Sequence, residues 1–259
     1  MACGLKPITY AKNSLELRFI YATRSERIAI ILTHGEGTEP MAVTVDIETA
    51  ITQLQAELES YPEDGDPAEW AWLHVRLGDA YRKRLYGEQS TNLEMALRSY
   101  LAALQVYAAD TYPSAWAKIH MRLGIVYFNR ILGDESENIE AAIYAYEAAL
   151  TVYRRDTTPA EWATTHYNLG SAYLSRVIGD RVVNLRTASL SYESALEVFT
   201  AEMYPSEYAR VREYLGLVAR YLDQLQGEDA VDKAVYAYHS AVMASNPMAM
   251  SGVWMKPTY

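Results

Sequence analysis

The sequence predicts an all-α protein, a right-handed superhelical solenoid of antiparallel helix hairpins. Three observations predict it: a 46-residue period, a proline that opens each period, and apolar residues at helical spacing within it. The period carries Pro67, Pro113, Pro159 and Pro205. It also carries the Leu-Gly pairs that end at Gly78, Gly124, Gly170 and Gly216. Four copies therefore fill residues 67–250, as 67–112, 113–158, 159–204 and 205–250.

The first half of each copy, helix A, begins at the proline, which suits the first helical position because it has no N–H. Asp66 and Thr158 precede two of these prolines with a Glu three residues later, which predicts capping boxes. Helix A is expected to end before Gly87, Gly133 or Gly179, since glycine accepts the left-handed conformation there. Its predicted length is about 18 to 20 residues, or about 30 Å.

The second half, helix B, is predicted to begin near Asn92, Asn138 or Asn184 and to end near Tyr107, Tyr153 or Phe199. Small residues such as Gly78 and Ala96 allow the two helices to cross closely, with Tyr100 in the neighbouring hollow. A lone hairpin leaves one apolar side uncovered, so each copy is expected to stack on the next.

The two ends differ from the repeats. Residues 41–66 align in register with helix B and predict a half-repeat that caps the stack. Residues 1–40 are an extension in which 15–21 and 27–32 favour a β-hairpin, with disorder or a start at Met41 as alternatives. The tail, residues 251–259 with the preceding apolar residues from Pro247, is expected to pack on its own last repeat or on a neighbouring molecule. The tail or the hairpin would then support a homo-oligomer.

The order Leu-Gly-x-x-Tyr followed by Ala-x-x-x-Tyr-x-x-Ala, seen at Leu77–Tyr81 and Ala96–Ala103, resembles the tetratricopeptide repeat over about 70 per cent of the chain. The period here is 46 residues instead of the usual 34. This length is similar to the long repeats of bacterial tetratricopeptide proteins, which often accompany a CHAT-type protease domain. The resemblance implies a protein-binding scaffold, and no protease domain fits in the remaining residues.

Composition excludes several classes of protein. The net charge of −10 disfavours nucleic acid as a partner. Cys3 is the only cysteine and cannot form an internal disulfide. The start of the chain lacks a signal-peptide pattern, and the longest apolar run, 28–32, cannot span a bilayer. A soluble cytoplasmic protein without membrane contact is therefore expected.

No catalytic residue, metal site or cofactor is predicted, since nothing resembles a nucleophile with its base or a phosphate-binding loop. His74, His120 and His166 share one phase, but equivalent helices stack about 10 Å apart. Two zinc-bound nitrogens cannot be more than about 4 Å apart, so the histidines are interpreted as packing residues. A second series is interpreted as interacting with the helix dipole and the free carbonyls: Arg84, Arg130 and Arg176.

The family resemblance places ligands on the concave face of the solenoid, where helix A residues vary between copies. The candidate ligand-binding residues are Arg82, Lys83, Lys118, Met121, Ile125, Phe128, Tyr167, Leu174, Arg210 and Arg220. The alternative is that longer helices or a terminal segment cover them. The sequence thus predicts a scaffold that binds a peptide or partner protein. The alternative function is a regulatory or sensor subunit that docks on a separate enzyme, such as a CHAT-type protease.

Overall fold

The computed structural model describes the backbone of residues 15–20, 27–34 and 41–245, and the side chains of residues 46–225 and 227. Its elements are β1 (Leu15–Ile20), β2 (Arg27–His34), β3 (Met41–Asp46), α1 (Ile47–Glu59), α2 (Pro67–Lys83), α3 (Gln89–Ala103), α4 (Pro113–Phe128), α5 (Glu135–Leu150), α6 (Pro159–Ser175), α7 (Arg181–Leu196) and α8 (Pro205–Ser245). The chain divides into two compact units, residues 1–157 and residues 158–259.

Consecutive helices pack as pairs within each unit. In the first unit α2 packs on α3 and α4 on α5, and in the second unit α6 packs on α7. These pairs confirm the helical repeat, whereas the right-handed superhelix stays a prediction. Each helix A begins at its proline, as predicted. The Asp66 carboxylate accepts a hydrogen bond from the Ala68 amide at 2.9 Å, but the Thr158 side chain does not cap α6.

A tyrosine ring lies on a glycine at each crossing of two paired helices. Tyr100 is completely buried, and a Cβ atom added at Gly78 would lie 2.6 Å from its ring. Tyr192 lies in the same way against Gly170, where the distance would be 2.9 Å. The predicted close crossing is therefore confirmed, because any side chain at these glycines would collide with the ring.

The turns between paired helices share one construction. Gly87, Gly133 and Gly179 have φ values of +79°, +86° and +85°, a conformation that residues with a Cβ rarely adopt. The arginine three residues before each glycine donates from Nη1 to an asparagine Oδ1 of helix B, at 3.2 to 3.4 Å. The pairs are Arg84 with Asn92, Arg130 with Asn138, and Arg176 with Asn184.

Each of these asparagines also closes its turn by donating from Nδ2 to a backbone carbonyl six residues earlier. The Asn92 and Asn138 amides reach the carbonyls of Tyr86 and Leu132, both at 2.9 Å. The asparagine lies in the first turn of helix B, so helix B begins three residues before it, earlier than predicted.

In the first unit the same arginines connect each pair to the preceding helix. Arg84 donates from Nε and Nη2 to the Glu48 carboxylate of α1 at 2.7 and 2.6 Å. Arg130 makes the equivalent two bonds to Glu94 of α3 at 2.6 and 3.2 Å. The arginine series is structural, as predicted, but its partners are side chains and not the helix dipole. Helix α1 therefore lies next to α2 in the same way as α3 lies next to α4.

The capping half-repeat predicted for residues 41–66 differs at its start, where residues 41–46 form β3. Alternating β-branched residues explain the difference, since Val43 pairs with Ile30 and Val45 with Ile28 of β2. β1 also pairs antiparallel with β2, which gives the sheet order β1-β2-β3. The predicted hairpin itself stays a prediction, because its turn, 21–26, lies outside the described residues. The tail, residues 247–259, also lies outside them.

The fourth copy is not a hairpin, because α8 continues as one helix of 41 residues. Three residues of the turn are missing from this copy. Leu222 stands at the arginine position, Leu225 at the glycine position and Ala230 at the asparagine position. A Cβ added at Gly216 would meet nothing within 4 Å, so the tyrosine contact is missing as well. Without a residue that accepts positive φ or an amide that closes the turn, the helix continues.

Replacing Gly124 by leucine should reduce the free energy of unfolding by at least about 1 to 3 kcal/mol, because the side chain would collide with Tyr146. The half-buried Phe128, also on α4, is the control, and Phe128→Ala should cost less than about 1 kcal/mol. Denaturant midpoints measure both. A larger loss for Phe128→Ala would mean that the packing face of α4 is assigned wrongly.

Asn138→Ala should reduce the free energy of unfolding by about 1 to 3 kcal/mol, because it leaves the Leu132 carbonyl without its donor. The exposed Asn129, which donates to a carbonyl of its own helix, is the matched control and should change stability by less than about 0.5 kcal/mol. Urea titration followed by circular dichroism measures both variants. Equal losses would show that the asparagine does not hold the turn.

Candidate functional site

The three histidines of one phase pack on the tryptophan one turn earlier in the same helix. The ring centroids of the pairs Trp70–His74, Trp116–His120 and Trp162–His166 are 4.2, 4.2 and 4.4 Å apart. Each histidine Nδ1 is buried without a hydrogen-bond partner among the described residues. Burial lowers the pKa of all three imidazoles. The interpretation of this series as packing residues is therefore confirmed.

The candidate ligand-binding residues of the first unit lie on α2 and α4. Arg82 and Lys83 are half-buried in the last turn of α2. On α4, Lys118 is exposed, whereas three apolar residues one turn apart are half-buried: Met121, Ile125 and Phe128. These three apolar side chains form a stripe along α4 that is partly exposed to solvent.

The candidates of the second unit lie on α6 and α8. The guanidinium of Arg210 lies over the ring of Tyr167, 5.3 Å from its centroid. Leu174 packs against the core of this unit, and Arg220 is exposed. The structure therefore brings Tyr167 and Arg210 together within the second unit, and the patch predicted to join the two sets of candidates stays a prediction.

A cluster of charged side chains joins α2 to α4 around Asp79. The Asp79 carboxylate accepts a hydrogen bond from the Tyr100 hydroxyl at 2.7 Å and one from Nη2 of Arg122 at 2.6 Å. Nη2 of Arg82 lies 4.0 Å from the same carboxylate. Together with Lys83, these two arginines form what we call the cation cluster: Arg82, Lys83 and Arg122.

The cation cluster places two guanidinium groups, those of Arg82 and Arg122, beside the single Asp79 carboxylate. The Arg122 side chain is nine-tenths buried, and its Nη1 has no hydrogen-bond partner among the described residues. The same holds for Nε of Arg82. Burial lowers the pKa of Lys83, and the charges of Arg82 and Arg122 act in the same direction against the opposing effect of Asp79. Because the Arg82 side chain is 25% exposed, its guanidinium can bind a further anion.

The charge at this site is specific to the first copy, although the tyrosine recurs. Tyr100 donates to Asp79, and burial together with that carboxylate raises its pKa. In the second copy Ile125 occupies the position of Asp79. In the third copy Ser171 occupies it, with its hydroxyl 3.1 Å from the Tyr192 hydroxyl. The residue beside the tyrosine therefore changes from acidic to apolar to neutral polar.

Sequence reasoning found Arg82 and Lys83 but missed Arg122, which contributes the shortest bond to Asp79. Arg122 lies next to Leu123 on the packing side of α4, where a periodic pattern predicts core residues. The sequence signal is that this position of the repeat is polar or aromatic and not aliphatic in every copy, with Arg76, Arg122, Asn168 and Tyr214, while the leucine after it repeats.

Within the described part of the chain, no three His, Cys, Asp or Glu side chains come together as metal ligands. No helix in that part is both long and apolar enough to cross a bilayer. Neither a family model nor a curated protein matches this chain.

The buried histidines should make the protein less stable in mild acid. Their folded-state pKa values lie below the usual histidine pKa of about 6.5, so the unfolded chain takes up protons first as the pH falls. Stability is therefore complete above the unfolded pKa and falls as the pH is lowered through it. Melting temperatures between about pH 7.5 and pH 5.5 should decline in the native protein and decline less in His74→Phe/His120→Phe/His166→Phe. Identical slopes would contradict this reasoning.

Proposed function

We propose that the protein is an interaction scaffold of the tetratricopeptide type that binds an acidic segment of a partner protein on the α2–α4 face. The observation that carries the proposal is the cation cluster, in which the guanidinium groups of Arg82 and Arg122 share the single Asp79 carboxylate. A carboxylate of the partner can bind the guanidinium of Arg82, whose side chain is 25% exposed.

A protein partner fits this face better than a small anion does. The stripe of Met121, Ile125 and Phe128 lies on the helix that carries Arg122, so apolar side chains can bind beside an anchored carboxylate. The net charge of −10 disfavours a nucleic-acid phosphate as the anion. The resemblance of the repeats to tetratricopeptide repeats, which bind peptides through helix A residues, supports the same choice.

The test is fluorescence polarisation with a labelled peptide of alternating Glu and Leu that ends in a free carboxylate. Two further peptides, one with Gln in place of Glu and one with an amidated end, distinguish side-chain carboxylates from the terminal carboxylate. Arg82→Gln/Lys83→Gln should weaken binding of the acidic peptide by at least about tenfold, because two charged contacts are removed. Added salt should weaken binding to the native protein.

The matched control is Arg98→Gln/Arg155→Gln, which removes the same charge from exposed positions elsewhere in the first unit. It should leave the affinity within about threefold of the native value. Arg82→Gln/Lys83→Gln should not lower the melting temperature, since it relieves repulsion within the cluster. Equal binding by both double variants, or tight binding of the Gln peptide with its amidated end, would contradict the proposal.

A further inference from the structure

The turns between paired helices expose large apolar side chains at two repeated positions. In each turn, two apolar residues separate the arginine from the glycine. Their exposed fractions are 74% for Leu85, 59% for Tyr86, 58% for Ile131, 48% for Leu132, 77% for Val177 and 47% for Ile178. Three independent turns thus place apolar surface in water at the same two positions.

The turn is held by the positive φ of the glycine and by the arginine and asparagine side chains. At Tyr86 and Leu132 the asparagine bonds the backbone carbonyl, which any residue would supply. Where the chain makes no turn, in the fourth copy, the same two positions hold Asp223 and Gln224. Repeated exposed apolar residues mark an interaction surface.

In the first unit the two turns are neighbours. Arg130, directly before Ile131, bonds Glu94 in the second turn of α3, the helix that begins directly after the first turn. The apolar pairs of these turns therefore lie along one side of the unit, which we call the turn edge: Leu85, Tyr86, Ile131 and Leu132.

Acidic side chains surround the turn edge. Exposed carboxylates follow both turns in the chain: Glu88, Asp134, Glu135 and Glu137. The arginines directly before the two turns, Arg84 and Arg130, bond Glu48 and Glu94. The turn edge therefore combines apolar contact area with negative charge, and a second copy of it would be repelled.

We infer that the turn edge is a second docking surface, which takes a basic amphipathic segment of a protein partner. Such a segment would bury apolar side chains on the four turn residues while its Lys or Arg side chains contact the flanking carboxylates. An anionic membrane has the wrong charge for this edge. The surface is independent of the cation cluster, whose chemistry is the opposite.

The probe is a labelled amphipathic peptide of Leu and Lys, about 18 residues long so that it forms five helical turns. One control peptide has Glu in place of Lys, and another has the same composition scrambled so that no apolar face forms. The native protein should bind the Leu-Lys peptide at least about tenfold more tightly than either control. Leu85→Gln/Ile131→Gln should weaken that binding by at least about tenfold and leave the melting temperature unchanged.

The control variant is Leu101→Gln/Tyr144→Gln, which changes two exposed apolar residues on α3 and α5, with exposed fractions of 45% and 70%. This variant should bind the Leu-Lys peptide as the native protein does. Arg82→Gln/Lys83→Gln should also bind it normally, and that result would show that this surface is distinct from the site of the proposed function. Equal losses in both apolar variants, or equal binding of the Glu peptide, would overturn the inference. The inference would also be overturned if Leu85→Gln/Ile131→Gln abolished a dimer of the native protein or its adsorption to phosphatidylglycerol vesicles. The turn edge would then bind another copy of the chain or a bilayer.

Discussion

The ring of a buried tyrosine lies on a helix glycine at each hairpin crossing, and this contact sets the geometry of the rest of the structure. Tyr100 on Gly78 and Tyr192 on Gly170 bring two backbones close enough that no side chain fits between them. The turn that joins the helices must then reverse the chain within a few residues, which requires a glycine with positive φ and an asparagine that closes the loop. Where the ring contact is missing, at Gly216, no hairpin forms and α8 continues.

Because packing is assigned to so few positions, the neighbouring positions are available for binding. Asp79, Ile125 and Ser171 are equivalent in the repeat and lie beside equivalent tyrosines, yet they differ in charge. In the first copy this residue is Asp79, which accepts a hydrogen bond from Arg122. The Arg122 side chain is thereby held nine-tenths buried in a region that would otherwise be apolar. A repeat of this kind can therefore change the charge at this position while the tyrosine keeps its contact with the glycine.

The features that depend on local chain geometry were the ones that sequence could predict. The prolines that begin each helix A, the turn glycines and the close crossing at Gly78 and its equivalents follow from spacing and residue size. Arg122 was not predictable from period alone, because its role depends on Asp79 of another helix. Leu222 and Leu225, which replace the turn arginine and glycine, indicate that α8 continues as one helix. The proline and the Leu-Gly pair, which the fourth copy keeps, instead favour a fourth hairpin.

The bonds from Arg84 and Arg130 to a glutamate of the preceding helix have a consequence for how such an array grows. The second copy has both an arginine at the turn, Arg130, and a glutamate at the repeat position of Glu94, which is Glu140. Such a copy would fit after any copy with a glutamate at that position and before any copy with an arginine at its turn. Gene duplication of one period would therefore insert a compatible unit. The third copy has Arg186 in place of that glutamate, and the fourth has Leu222 in place of the arginine. Donor and acceptor are lost together, so the series of arginine–glutamate bonds does not continue into the fourth copy.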